Sequence, residues 1–106
     1  MTTSKPPREH AITAILFDKR GRPLSIGRNS YTKTHPLQAQ AAEAVGEPYK
    51  VFLHAEIDAI VRCRDIKKAV RIVVMRYNKY GQPMNATPCN ICKKFLSQYN
   101  LTIEHT

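Results

Sequence analysis

An α/β fold, a sheet covered by helices, is what the sequence predicts, and two observations carry it. Short apolar and β-branched runs bounded by turn residues alternate with segments whose apolar positions recur every three or four residues. The apolar share, 42% of 106 residues, suits one buried core. Strands separated by helices call for layers, with right-handed crossovers joining parallel neighbours.

The elements follow in order. Residues 1–9 read as a flexible arm, because Pro6 and Pro7 interrupt pairing, and residues 10–106 as one compact domain. His10 to Phe17 is β-branched and apolar, Asp18-Lys19-Arg20-Gly21 is turn chemistry, and Pro23 to Arg28 returns as a second strand, so a hairpin is expected. Pro36 to Val45 suits a short helix, with Pro at its first position and Gly46 as its C-terminal cap. Leu53, Ile57, Ile60 and Val61 then place an apolar stripe on a helix ending near Arg64. Arg71 to Tyr77 reads as a buried strand, followed by a loop to Pro88. From Cys89, the positions Ile91, Phe95, Leu96 and Tyr99 keep helical spacing, Asn100 offers a stop, and Leu101 to Glu104 is a last strand. The expected order is β-β-α-α-β-α-β.

Composition narrows the function classes. No run approaches the ~20 apolar residues of a membrane span, and Met1 to Glu9 is polar and unlike a secretion signal, so a soluble protein with no membrane partner is expected. Three cysteines, two of them spaced as Cys89-Asn90-Ile91-Cys92, favour metal ligation in a reducing compartment over a disulfide framework, which points to the cytoplasm. A chain this short gains from a metal or a second subunit, so a homo-oligomer is expected as well. The net charge is +9 and uneven: Met1 to His35 holds seven Lys/Arg against two acids, Arg62 to Thr106 nine against two, and Pro36 to Val61 one against four. Two basic flanks around an acidic middle favour phosphate-bearing partners.

Two short motifs carry the chemistry. His54-Ala55-Glu56 stands at one helix start, and Pro88-Cys89-Asn90-Ile91-Cys92 at another, 35 residues later. Cysteines in a first helical turn are favoured as thiolates by the helix dipole, and three residues apart they face the same way, so both sulfurs reach one ion. His54 completes three ligands, which leaves a zinc ion a fourth position for water, the mark of a catalytic site. Cys63 lies about 13 Å further along the helix axis and cannot share that ion, so it reads as a small core residue. His10 and His105 read as surface imidazoles, and His35 is the one credible extra ligand. Glu56, two residues from His54, is placed to move protons for the water without ligating.

These motifs resemble the zinc-dependent cytidine/deoxycytidylate deaminase superfamily, whose signature is H-x-E followed by P-C-x-x-C. The likeness runs from about Ile12 to Ile103 in element order. It implies a three-layer cytidine-deaminase-like fold with a mixed sheet of about four strands. It further implies one Zn2+ per chain on His54, Cys89 and Cys92, Glu56 as the catalytic acid and base, and substrate contacts at Asn29, Ala55 and Pro88. The implied reaction is hydrolytic conversion of cytosine to uracil in a nucleoside or nucleotide such as dCMP. The chain departs from the pattern in having no helix before its first strand, in stopping at the strand after Asn100, and in a long Ser30 to Phe52 segment, all of which bear on substrate and assembly.

Two other functions are open at this point. One is deamination within single-stranded DNA or RNA, for which the basic flanks and Tyr31, Tyr77 and Tyr80 would be assets. The other is a non-catalytic zinc module that binds nucleic acid, which would require a fourth protein ligand.

Overall fold

The computed structural model describes residues 11–30, 33–50 and 52–106. The arm over 1–9, His10 and Tyr31 lie outside the described residues. Strands β1 (Ala11–Asp18) and β2 (Pro23–Arg28) form the expected antiparallel hairpin, with Gly21 at φ +79 in its turn, where a side chain would be strained. Asp18 fixes that turn: its carboxylate accepts from the backbone N–H groups of Arg20 and Arg22 and from Arg22 Nε, all at 2.9 Å. These bonds hold its pKa below the usual carboxylate range, the Arg22 N–H first among them.

Strand β3 (Ala69–Tyr77) runs antiparallel to β1 over its whole length. On the other edge it pairs with β5 (Thr102–His105) in parallel and, beyond that, with the short antiparallel β4 (Pro83–Met84). The sheet is therefore mixed and five-stranded, with β4 added in what reads from sequence as a loop, and a 3-10 turn at Ile66–Lys68 leads into β3. Two residues of ladder are too few to leave a periodic signal. β5 begins and ends one residue later than expected, which puts His105 inside the strand, exposed, as a surface imidazole.

Cross-strand pairs define the buried face. Ala14 lies opposite Gly27 and Val74, and Leu16 opposite Ser25 and Ile72. Ala14, Leu16, Ile72 and Val74 are all closed to solvent, each large aliphatic contributing about 1.5–3 kcal/mol through burial.

Helix α2 (Ala55–Arg62) lies on β2 and β1. Leu53, Ile57 and Ile60 are buried as the stripe requires, but the helix ends two residues before Arg64 and Val61 is 40% exposed. The correction has a physical source. Six consecutive residues, Ala55 to Ile60, are buried because the helix start is enclosed on several sides, so burial there does not follow a single stripe. Helix α3 (Asn90–Leu96) packs on α2 and on α1 (Pro36–Ala44) through Ile91, Phe95 and Leu96. Helix α1 begins at Pro36 as expected, and Gly46 takes φ +78 just beyond its end. Among the described residues the architecture is α/β with a mixed sheet and three helices, and no helix there is long and apolar enough to cross a membrane.

Candidate metal centre

The two motif segments meet at the ends of two helices. His54 is the N-cap residue of α2 and Cys89 that of α3, with Cys92 in the first turn of α3. His54 Nδ1 lies 3.3 Å from Cys92 Sγ and 3.5 Å from Cys89 Sγ, and the three candidate ligand atoms all lie within 4.8 Å of one another. Bond lengths of about 2.0–2.1 Å to nitrogen and 2.3 Å to sulfur at tetrahedral angles give an N···S edge of about 3.5 Å. The spacing therefore fits one ion bound by all three, and the donor set, one imidazole and two thiolates, is one that suits zinc.

Electrostatics support the same arrangement. Cys89 has its pKa lowered to about 3, first by the hydrogen bond from the Cys92 thiol and further by His54. Cys92, buried, is pushed up by its bond to Cys89, by burial and by the charge of Glu56. The Cys89 sulfur raises the pKa of His54. One proton shared between two sulfurs is the arrangement a cation replaces, since a divalent charge at that point favours thiolate on both.

A fourth protein ligand is not supplied among the described residues, where the cluster consists of these three. His35 is committed elsewhere: it caps α1, its Nδ1 accepting from Leu37 N–H at 3.1 Å. Cys63 is the half-buried C-cap of α2, packed against the core.

Glu56 is buried in the first turn of α2, and burial raises its pKa. It lines a cleft of about 480 Å³ together with His54, Ala55, Cys89 and Asn29. Ala55 is wholly buried, so it meets the cleft only at its floor. Asn29 also closes the hairpin end, its Oδ1 accepting from Ile12 N–H at 3.1 Å. Pro88 is buried and is not among the residues that line the cleft, although its neighbours Thr87 and Cys89 are.

Several residues around the site carry no motif. Gln38 is fully buried and ties α1 to the centre: its Oε1 accepts from His54 N–H at 3.1 Å while its Nε2 donates to the Lys50 carbonyl at 3.2 Å. Tyr49 and Phe52, 72% and 48% exposed, present aromatic surface to the cleft, and Arg76 enters it from β3. The Arg76 Nε is buried without a hydrogen-bond partner, while its Nη1 donates to the Asn85 carbonyl. Tyr77 and Tyr80 do not line this cleft. The one sequence signal for Tyr49 and Phe52 is that two aromatics stand within five residues of His54, a candidate ligand, in the chain.

No protein-family model and no curated protein matches the chain. The reading of the site rests on its residues.

Proposed function

We propose that the chain is a zinc-dependent hydrolytic deaminase of the cytidine/deoxycytidylate type, converting cytosine to uracil in a nucleoside or nucleotide such as dCMP. The observation that carries this reading is a three-ligand His/Cys/Cys cluster with a buried, non-ligating carboxylate, Glu56, in the same cleft. His54, Cys89 and Cys92 would hold the ion, which when bound lowers the pKa of a water to about 7 and so supplies a nucleophile at neutral pH.

The chain's own residues do the rest. Glu56 Oε takes a proton from the attacking water and delivers it to ring N3, so that the new C4–O bond forms without a free anion on the ring. Glu56 then carries the second proton from that oxygen to the departing amino group, which leaves as ammonia while C4 becomes a carbonyl. Burial suits Glu56 to this shuttle, because raising its pKa makes the carboxylate a better proton acceptor. Tyr49 and Phe52 offer apolar faces for the ring at the cleft mouth. The non-catalytic zinc module loses ground, since His35, its one extra ligand, is spent on a helix cap.

Metal analysis and a substrate panel test the reading. The purified chain is expected to hold one zinc and to release ammonia from deoxycytidine, dCMP or a cytosine-containing strand. Zinc at one per chain with no turnover across cytosine and adenine nucleosides, nucleotides and single strands would sink it.

A further inference from the structure

We propose that Thr106 is a positioning residue for the candidate metal centre: it clamps the chain from Met84 to Ala86 against β3 and so sets where Cys89 stands relative to His54. This rests on the reading of His54, Cys89 and Cys92 as ligands of one ion. The four residues of β5 are all exposed, yet Thr106, which follows them, is half-buried. It sits where the edge of β3 passes from one partner to another, since β5 pairs with Arg71 to Val74 and β4 with Arg76 and Tyr77.

Thr106 closes this gap with hydrogen bonds. Its N–H donates to the Val74 carbonyl at 3.0 Å, and its main-chain oxygen accepts from Ala86 N–H at 2.9 Å. Its hydroxyl accepts from Arg76 N–H at 3.1 Å and donates to the Met84 carbonyl. Arg76 and Met84 are ladder partners, so the hydroxyl bridges one pair of a ladder only two residues long. Pairing that short does not hold its place alone. The segment's further tie to β3, from Arg76 Nη1 to the Asn85 carbonyl, is open to solvent.

The clamped segment leads directly to a ligand. Asn85, Ala86 and Thr87 line the metal cleft with Cys89. Asn85 Oδ1 accepts from Thr87 N–H at 2.9 Å and from Thr87 Oγ1 at 2.6 Å, and Pro88 has a fixed φ. Residues 85–88 therefore pass a displacement on to Cys89 instead of absorbing it. A metal site tolerates only about 0.5 Å of such displacement. Loss of the Thr106 hydroxyl is thus felt at the ion.

The test replaces that hydroxyl in the full chain. Thr106→Val and Thr106→Ala remove it, Thr106→Ser keeps it, and Thr102→Val, at an exposed position of β5, controls for general effects on the strand. Circular dichroism melts define the temperatures at which each variant is folded. Within that range, zinc affinity by chelator competition should fall about tenfold in Thr106→Val and Thr106→Ala, the lower end of the 10- to 100-fold typical when the support of a ligand is lost. The sulfur-to-cobalt absorption of the cobalt-loaded chain should shift or weaken in the same two variants. Thr106→Ser and Thr102→Val should keep the parent's affinity and spectrum. A merely structural hydroxyl would lower Tm and leave the metal affinity and spectrum of the folded variants unchanged, and that result overturns the proposal. So does failure of both hydroxyl-free variants to fold, which assigns Thr106 to stability, and so does a loss that Thr106→Ser does not rescue. Neither readout needs turnover, so the two readings fail separately. A wild-type chain that binds neither metal removes the centre and the clamp with it, whereas zinc bound by wild type and weakened as expected in the variants keeps the clamp even if no cytosine compound is deaminated.

Discussion

The two helix ends that form the candidate metal centre are built in opposite ways. The His54 end, at α2, is locked to the sheet by backbone: Ser25 Oγ donates to the Ala59 carbonyl at 2.7 Å, Arg28 N–H donates to Asp58, and Gly27 lies against the α2 backbone. A Cβ on Gly27 would collide with the Ala55 carbonyl and the Ala59 nitrogen. The cysteine end, at α3, has only seven residues, presents Cys89 to solvent and packs chiefly on other helices. An isolated helix of seven or eight residues has no stability of its own, so each depends on what it packs against. The lesson is a division of labour, in which α2 positions Glu56 through its contacts with the sheet while α3 would depend on a bound ion for much of its order.

The largest expected effect breaks the comparison at its weaker side. Cys89→Ser/Cys92→Ser should abolish zinc binding and activity and lower Tm, because metal affinity at such a site is coupled to folding. Native-state hydrogen exchange on the same variant should show α3 amides losing protection before those of α2. Equal loss in both helices would mean that the two ends are not built differently.

Next in size is Glu56→Ala, which should retain full zinc by elemental analysis while turnover falls about 100- to 10,000-fold, the range typical of a lost proton shuttle. Wild-type turnover in the zinc-loaded variant would take Glu56 out of the mechanism.

Gly27→Ala probes the stronger side. It should cost about 1–3 kcal/mol or more in chemical denaturation, since the obstructing atoms are backbone and cannot rotate away. Gln38→Ala should cost about 1–3 kcal/mol by orphaning His54 N–H and the Lys50 carbonyl, and should weaken zinc retention as well. Unchanged metal affinity would confine Gln38 to a structural role.

The smallest effect serves as a control far from both ends. Asp18 has a lowered folded-state pKa, so its contribution is present above the unfolded value of about 3.9 and is lost as pH falls through the lower folded one. Thermal melts of Asp18→Asn should therefore fall below wild type at pH 6 and converge with it as the pH drops below about 4, with zinc content unaltered. A Tm gap that does not change with pH would assign the loss to the turn alone.

Much of this was legible in the chain, for identifiable reasons. The hairpin, α1 and β3 announce themselves through turn chemistry, a proline start and a β-branched run, all of them local signals. His54, Cys89 and Cys92 are brought together as their spacing suggests, because two residue triplets at helix starts carry their geometry with them. Gln38, Tyr49 and Phe52 left no comparable signal. Each matters through a partner or cleft that forms only in the folded chain, where the Thr34–Phe52 bridge and the bond from Leu53 N–H to the Lys33 carbonyl bring the described parts of this region together. Gly27 left no signal of its work, admitting α2, because that depends on a contact about thirty residues away in sequence.

That contact also sets how freely the chain can change. Between β2 and α2 no side chain at residue 27 is available to trim or enlarge, so the height of His54 and Glu56 above the sheet is fixed by covalent backbone dimensions. In a library randomised at position 27 and selected for folding, glycine should be the one residue returned. New specificities at this cleft would then arise by exchanging the groups around His54 and Glu56, whose own elevation does not drift.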